Sequence, residues 1–218
     1  HSFLKIKPNI FKESDYKNFL GSVTSHSNIG GGLDPYNPIP GREPEEAIDL
    51  ATKLLRKFAV ITVNSLILYN LLKNKIPNLM YCPNGVDTSL YYKFDDKIYN
   101  PKNITIGWVG KKRGPKNFEL VNKISNSMKA FPYINLKIIS IDKNFKYIPY
   151  NQNEMLKFYN KIDFYLCVSL NEGTPNPALE AGACGIPIIS TKVGNMPEII
   201  VDKNNGFFIK PSENSIMK

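Results

Sequence analysis

The chain has 218 residues, of which 42% are hydrophobic and 22% are charged, and it carries a formal net charge of +9. This composition excludes an intrinsically disordered chain, and no apolar run reaches the roughly 18 residues that a membrane-spanning helix needs. Basic proteins often meet acidic surfaces or phosphorylated ligands, but no Lys/Arg block interleaved with aromatic residues predicts a nucleic-acid surface, so we expect no nucleic-acid partner.

The N-terminal stretch is irregular in pattern. The sequence begins at His1 without a basic-then-apolar leader, and we interpret it as a fragment of a longer chain. A short strand-like segment ends near His26, and turn-forming residues are frequent from there to residue 43. Gly30, Gly31 and Gly32 lack the strand–turn–helix setting of a phosphate-binding loop, so a flexible loop is predicted.

Strands and helices alternate from residue 44 onward. Apolar spacings of three and four residues predict helices, and β-branched runs predict strands. The predicted helices cover 44–58, 64–75, 117–130, 153–161, a segment near Pro177, and 196–201; the predicted strands cover 59–63, 79–82, 104–109, 136–141, 164–168, 186–190 and 207–209. The polar stretch 87–101 is predicted to be a linker. This alternation predicts an α/β fold with parallel sheets, whose ligands lie beyond the carboxyl ends of the strands.

The cysteines do not form a metal-binding or disulfide pattern. Cys82, Cys167 and Cys184 are widely spaced in apolar surroundings, and the two histidines lie far from them in sequence. A zinc site or a disulfide framework is therefore not expected. We predict buried, reduced cysteines in a cytoplasmic protein.

The segment 169–187 carries the densest functional signal. Asn176 is predicted to cap a helix, with Pro177 at its first position, and the free amides of that helix would favour an anion. Glu172 lies in the preceding loop, and Glu180 follows it with seven residues between them. Glu172 is either a solvated loop residue or a ligand contact, and Glu180 is either stabilised by the helix dipole alone or a ligand contact. As ligand contacts, both carboxylates would accept hydrogen bonds from hydroxyls of a sugar and a ribose.

The motifs from Glu172 to Glu198 resemble those of retaining glycosyltransferases of family 4. They comprise Glu-x7-Glu, Ala-Gly-Ala-Cys-Gly, Pro-Ile-Ile-Ser-Thr and Val-Gly-Asn-Met-Pro-Glu, and the agreement in order and spacing extends over about 107–208. Weaker agreement covers 60–65 and 84–87. The resemblance implies a GT-B fold with two Rossmann-like domains, the first one incomplete. We expect residues 1–97 to belong to the acceptor-side domain, and residues 98–218 to form the donor-binding domain without its final helices.

The resemblance also implies roles for individual residues. Glu172 matches the glutamate that binds a hydroxyl of the donor sugar, and Glu180 matches the one that binds the ribose. The turn whose backbone amides meet the sugar and diphosphate corresponds to Gly173, Thr174, Pro175 and Asn176. The sequence departs here from the commoner Glu-Gly-Phe-Gly pattern, and two prolines remove N–H donors, so the amides that contact the donor are not identified.

A basic loop and a histidine complete the implied donor site. The loop 110–116 matches the family's basic loop, with Gly110 and Lys112 as donor-binding residues. Arg113 and Lys116 are the preferred contacts of the diphosphate, because cations stabilise the charge of a leaving diphosphate; Lys111 and Lys112 are rivals, and solvation alone is the alternative. His26 is either the family's histidine facing the donor sugar or a polar turn residue.

The implied reaction is transfer of a hexosyl group from a nucleoside-diphosphate sugar to a glycan or lipid. The sequence has no D-x-D motif, and the adjacent Asp95 and Asp96 make a poor metal pair. The resemblance implies retaining transfer without a metal, another cofactor or a protein nucleophile, so Glu172 is not assigned as one. Two alternatives stay open: a non-catalytic nucleotide-sugar-binding module, and a GT-B epimerase or phosphorylase. We expect a cytoplasmic location, with the inner face of the membrane as an alternative that the basic charge permits.

Overall fold

The described residues of the computed structural model are 60–112, 114–141 and 151–212, and they contain two parallel sheets. In the two-stranded unit, β1 (Ile61–Val63) and β2 (Leu79–Tyr81) are joined by helix α1 (Leu66–Leu72). The five-stranded unit has the strand order β4–β3–β5–β6–β7. Its strands are β3 (Ile104–Lys111), β4 (Ile134–Ile141), β5 (Phe164–Cys167), β6 (Ile188–Ser190) and β7 (Gly206–Phe208). The predicted α/β fold with parallel sheets is confirmed.

The helices of the five-stranded unit follow the strands as the sequence pattern predicts. They are α2 (Phe118–Met128), α3 (Gln152–Asn160), α4 (Asn176–Ala183) and α5 (Met196–Ile199). Helix α3 begins with a capping box, in which Asn151 Oδ1 accepts from Glu154 N at 3.0 Å and Glu154 Oε2 accepts from Asn151 N at 2.7 Å. The box satisfies two amides that a helix start would otherwise leave unpaired.

Two apolar clusters cover the two faces of the five-stranded sheet. Alternate residues of a strand point to opposite faces, so Trp108 and Leu166 pack against α2, whereas Val109 and Cys167 belong to the cluster that contains α3 and α4. The two faces are thus covered by different helices, as in a doubly wound sheet. No helix in the described ranges combines the length and apolar character needed to cross a bilayer.

Some element boundaries differ from the predicted ones. Strand β3 continues to Lys111, so Gly110 and Lys111 are strand residues and the basic loop is shorter than predicted. Helix α4 has Pro175 as its N-cap, and Asn176 is its first residue, so Asn176 is not the predicted cap. Its amide oxygen instead accepts a hydrogen bond from Asn84. The predicted helix 44–58 and the strand-like segment ending near His26 lie outside the described residues.

The predicted linker 87–101 packs against the five-stranded unit. Tyr91 is buried in the apolar cluster that contains α3 and α4. Asn160, in the last turn of α3, accepts from Phe94 N at 2.8 Å and donates to Tyr92 O at 3.0 Å. These contacts tie the segment to α3, and the domain limits at residues 97 and 98 stay predictions.

Candidate functional site

Three loops meet at the carboxyl edge of the five-stranded sheet. They are the β3–α2 loop (112–117), the β5–α4 loop (168–175) and the β6–α5 loop (191–195). Hydrogen bonds join them: Leu170 N donates to Pro115 O at 2.9 Å, Thr191 Oγ1 to Ser169 O at 2.7 Å, and Asn195 N to Gly173 O at 3.1 Å. The predicted site residues of this unit therefore lie where a parallel sheet places its ligands.

Lys116 and Glu172 form an ion pair at this edge. Lys116 Nζ contacts Glu172 Oε1, and the same oxygen accepts a hydrogen bond from Ser169 Oγ at 2.9 Å. The two charged side chains are only 22% and 12% exposed, so solvent screens them less than it would a surface pair. The two residues that the sequence predicts for the diphosphate and the donor sugar are thus brought together.

Glu180 is held by tyrosine hydroxyls. Tyr159 OH donates to Glu180 Oε2 at 2.6 Å, and Tyr159 is fully buried. Burial raises the pKa of the Glu180 carboxyl, while hydrogen bonds from Tyr159 and Tyr91 act in the opposite direction. Burial, together with the nearby Glu180, raises the pKa of Tyr91 to about 12. Both phenols therefore keep their protons at neutral pH and can donate to this carboxylate.

The start of helix α4 has fewer free amides than the sequence predicts. Asn176 N donates to Thr174 O at 3.0 Å, Ala178 N donates to Pro175 O at 2.8 Å, and Pro177 has no N–H. Two of the first amides of this helix are therefore used within the turn and a third position has no amide, and the anion site at this helix start stays a prediction. Among the described residues, the N–H groups of Gly173 and Thr174 donate to no acceptor.

The β6–α5 loop packs closely against the β5–α4 loop. Gly194 has φ +51, and a Cβ there would overlap the carbonyl oxygen of Gly173 and lie 3.0 Å from Glu172 O. Only glycine satisfies both the backbone conformation and this close approach. The neighbouring Asn195 is 2% exposed, and its Oδ1 accepts no hydrogen bond within the described ranges.

The carboxyl ends of β1 and β2 face the same loops. Thr174 Oγ1 donates to Asn64 O at 3.3 Å, and Asn84 Nδ2 donates to Asn176 Oδ1 at 3.2 Å. A Cβ on Gly173 would lie 2.7 Å from Asn64 Oδ1, so the two units approach closely at this point. Amide side chains of the two-stranded unit therefore line the site opposite the charged residues of the five-stranded unit.

Other predicted residues lie away from these contacts or outside the described part. Gly110 is buried in β3, where a Cβ would lie 2.7 Å from the Trp108 ring. Lys112 is exposed, and its Nζ lies 5.2 Å from the centre of the Phe118 ring. Arg113 and His26 are outside the described residues. The ranges 60–112, 114–141 and 151–212 contain no cluster of three or more His, Cys, Asp or Glu that could hold a metal.

The cysteine prediction is partly wrong. Cys167 and Cys184 are buried, but Cys82 is exposed, since it follows the last residue of β2 and enters the loop toward Asn84. Its apolar sequence neighbours do not cover it, because alternate residues of a strand end face opposite sides.

Sequence reasoning gave no role to several residues of the site. Ser169 could have been suspected, because it lies two residues after the end of β5 and three residues before Glu172. Asn64 and Asn84 follow parallel strands, which is also a recognisable signal. Tyr159 is separated from Glu180 by a strand and a loop, so no local pattern indicates their contact.

Comparison with known proteins is consistent with this geometry. Residues 135–217 match the family model described as Glycosyl transferases group 1. An uncharacterized glycosyltransferase of Methanocaldococcus jannaschii is 33% identical over 66 residues, which are 30% of this chain and 19% of that protein. A D-inositol 3-phosphate glycosyltransferase of Streptomyces bingchenggensis is 33% identical over 61 residues, which are 28% of this chain and 13% of that protein. The matched segments thus span less than a fifth of these relatives.

Solved structures show the same fold. The sucrose-phosphate synthase of Thermosynechococcus elongatus superposes with a TM-score of 0.70 at 17% identity, over 87% of this chain and 55% of that one. Anabaena HepE, solved with UDP and glucose, gives 0.62 at 14% identity, over 82% and 57%. The C-terminal domain of a glycosyl transferase group 1 family protein from Francisella tularensis gives 0.51 at 29% identity, over 61% and 84%. Residues 135–217, which are less than half of the chain, therefore resemble a Glycosyl transferases group 1 domain, and the described residues have an α/β fold of the GT-B type.

Proposed function

We propose that this chain forms the donor-binding part of a retaining glycosyltransferase, which transfers a hexosyl group from a nucleoside-diphosphate sugar to a glycan or lipid without a metal. The observation that carries the proposal is the pairing of Lys116 with Glu172 at the carboxyl edge of the parallel sheet. A cation and a carboxylate side by side match the two ends of such a donor, the diphosphate and the sugar hydroxyls.

Donor binding replaces the ion pair with two ligand contacts. Lys116 turns to the diphosphate, and Glu172 accepts a hydrogen bond from a hydroxyl of the sugar. The unpaired N–H groups of Gly173 and Thr174 supply further donors to the diphosphate or the sugar. Because Lys116 and Glu172 carry no net charge together, the pair adds no net repulsion to the diphosphate, and a sugar hydroxyl replaces Lys116 as the donor to the carboxylate.

Glu180 binds the ribose of the nucleotide. The carboxylate has about four acceptor sites, so sites remain for a ribose hydroxyl when Tyr159 and Tyr91 each donate one hydrogen bond. Because the buried Tyr159 fixes the carboxylate, the ribose contact costs little additional ordering of this side chain.

The reaction depends on stabilisation of the leaving group. The bond between the sugar carbon and the diphosphate oxygen breaks, and the nucleoside diphosphate departs with the electron pair. An acceptor hydroxyl bonds to the same face of the sugar and passes its proton to the departing diphosphate oxygen. Lys116 stabilises the charge that develops on the diphosphate, and the site orients donor and acceptor. UDP is the first nucleotide to test, since HepE was solved with UDP; cytoplasmic location stays part of the proposal.

The test is calorimetric titration of the folded chain with UDP, GDP and ADP. We expect one of them to bind, and Glu180→Ala to weaken that binding by about tenfold, the effect of one hydrogen bond to a charged group. Asp96→Ala removes an exposed carboxylate in a turn and is expected to bind like the parent. A folded sample that binds none of the three nucleotides would refute the donor site.

A second assay separates the transferase from the alternatives. The nucleotide-sugar that corresponds to the bound nucleotide is incubated with the protein, and its products are separated. Release of the nucleoside diphosphate by the parent, and its loss in Glu172→Gln, supports a transferase. Conversion of the sugar with the diphosphate still attached indicates an epimerase, and binding without any conversion indicates a binding module.

A further inference from the structure

Glu198, in helix α5, directs both carboxylate oxygens to the two-stranded unit. Oε1 accepts from Leu66 N at 2.6 Å, and Oε2 accepts from the hydroxyl of Tyr81. Leu66 is the first residue of α1, and Tyr81 is the last residue of β2. One side chain of the five-stranded unit therefore contacts the carboxyl ends of both strands of the other unit.

Each of these contacts satisfies a group that needs a partner. The first amides of a helix have no acceptor within the helix, and the side chain of the N-cap Ser65 accepts from Leu68 N rather than from Leu66 N. Glu198 supplies the acceptor for Leu66 N. The hydrogen bond from Tyr81 to Glu198, together with burial, raises the pKa of Tyr81 to about 12. The phenol thus stays protonated and remains a donor at physiological pH.

The backbone on the other side of Glu198 leads directly to the site. Glu198 N donates to Asn195 O at 3.0 Å, and Asn195 N donates to Gly173 O at 3.1 Å. Gly173 in turn lies against Asn64, and Asn84 reaches Asn176. Three contacts therefore link Glu198 to Asn64 along this path, whereas on the other side one hydrogen bond, to Leu66 N, brings Glu198 within two residues of Asn64 along the chain.

We propose that Glu198 is a positioning residue that clamps the carboxyl ends of β1 and β2 onto the β5–α4 loop, and so sets the place of Asn64 and Asn84 in the site. The clamp is a property of the unliganded chain. Only its consequence, that the two amides stand opposite the donor, rests on the proposed function.

Two ligand-free measurements on the full chain test the clamp. The first is hydrogen exchange at Leu66 N, which we expect to be about tenfold faster in Glu198→Ala, since a hydrogen bond to a charged group is lost. Glu198→Gln keeps one acceptor oxygen and is expected to give an intermediate rate. Glu119→Gln, which changes an exposed carboxylate of α2, is the matched control.

The second measurement is energy transfer from Trp108, the one tryptophan of the chain, to a fluorophore on Cys82, its one exposed cysteine. Trp108 lies in β3 and Cys82 follows β2, so the efficiency reports how the two units sit together. We expect a lower efficiency in Glu198→Ala and partial rescue in Glu198→Gln. Circular dichroism establishes that each variant is folded.

The outcomes separate the clamp from the proposed function. Unchanged exchange at Leu66 and unchanged energy transfer in folded Glu198→Ala would overturn the clamp, whether or not the parent binds a nucleotide. If the parent binds no nucleotide but both measurements change as expected, the proposed function fails and the clamp stands. Should Glu198→Ala fail to fold, Glu198→Gln and Tyr81→Phe, which each leave one of the two contacts, decide the question by the same measurements.

Discussion

The five-stranded unit brings charged side chains to the site, whereas the two-stranded unit brings amides and a backbone carbonyl. Lys116, Glu172 and Glu180 come from the first, and Asn64 and Asn84 from the second. The charged residues are each held by further side chains, such as Ser169 and Tyr159. Of the two amides, Asn84 is exposed and Asn64 is half-buried, and both are held through contacts between the units.

This difference assigns different tasks to the two units. At low exposure Lys116 attracts an anionic donor strongly, because weak screening leaves the Coulombic attraction large, whereas Glu172 and Glu180 accept hydrogen bonds from its hydroxyls. Neutral amides both donate and accept, so they suit hydroxyl groups and add direction more than affinity. Variants that change one unit and leave the other unchanged can therefore test whether the two units have different tasks.

The largest effect is expected from Gly194→Ala in the five-stranded unit. A Cβ there combines a left-handed backbone with overlap on the Gly173 carbonyl. We expect a loss of about 2–4 kcal/mol in the free energy of unfolding, measured by urea denaturation, and weaker nucleotide binding. The control is Gly182→Ala in α4, where the nearest atom to a new Cβ is at 3.5 Å; it should stabilise by about 0.5–1 kcal/mol. A tolerated Gly194→Ala would show that the two loops do not depend on their close packing.

Next in size is the contrast between Lys116→Met and Asn84→Ala. We expect Lys116→Met to weaken nucleotide binding by about 10- to 100-fold, and Asn84→Ala by tenfold or less, since hydrogen bonds between neutral groups contribute about 0.5–1.5 kcal/mol. Titrations at low and high salt should show that only the first variant loses salt dependence. Lys123→Met, at an exposed lysine, controls for the loss of a positive charge. Equal losses in both variants would remove the distinction between the two units.

A smaller effect is expected from removing one helix cap in each unit. Ser65→Ala removes the acceptor of Leu68 N at the start of α1, and Asn151→Ala removes the capping box of α3. Each should cost about 1 kcal/mol. Hydrogen exchange should show faster exchange confined to α1 in Ser65→Ala and spread over the five-stranded unit in Asn151→Ala. Identical exchange patterns would mean that the two units open together.

The smallest effect concerns pH and Glu180. Burial raises the pKa of this carboxyl above its ordinary value of 4.5. The folded protein therefore holds the proton to higher pH than the unfolded chain does, so this group's contribution to stability falls as pH rises between the two pKa values. Glu180→Gln lacks this decline and should gain stability relative to the parent as the pH rises above the ordinary pKa of 4.5.

Urea unfolding at a series of pH values measures this difference. The same series with Asp96→Asn accounts for the loss of a negative charge at an exposed position. A constant difference between Glu180→Gln and the parent across the range would contradict the expected sign.

Local patterns were sufficient for most elements that the structure describes. The apolar run 104–109 predicted the core of β3, and the predicted helix 153–161 overlaps α3 almost completely. Boundaries failed where neighbours decide them, as at Gly110, which stays in the strand because β4 pairs with β3 as far as Lys111. The prediction that Cys82 is buried was wrong for a similar reason, because the exposure of this residue depends on where β2 ends relative to other elements.

The residues of the site likewise fall into those that the sequence predicted and those that it did not. Glu172, Glu180 and the basic loop were recognised from spacing, since a motif is local in sequence. The alternation of strands and helices and the parallel sheets could be predicted from the sequence, because they follow from short-range periodicity. The position of the carboxylates beyond the strand ends could be predicted as well, because it follows from the direction of the strands. Three contacts became visible only in the tertiary structure. They are Lys116 with Glu172, Tyr159 with Glu180, and Glu198 with Leu66 and Tyr81. Each of these contacts joins separate elements, and a side chain's partner across such a distance is set by packing, which no local pattern contains.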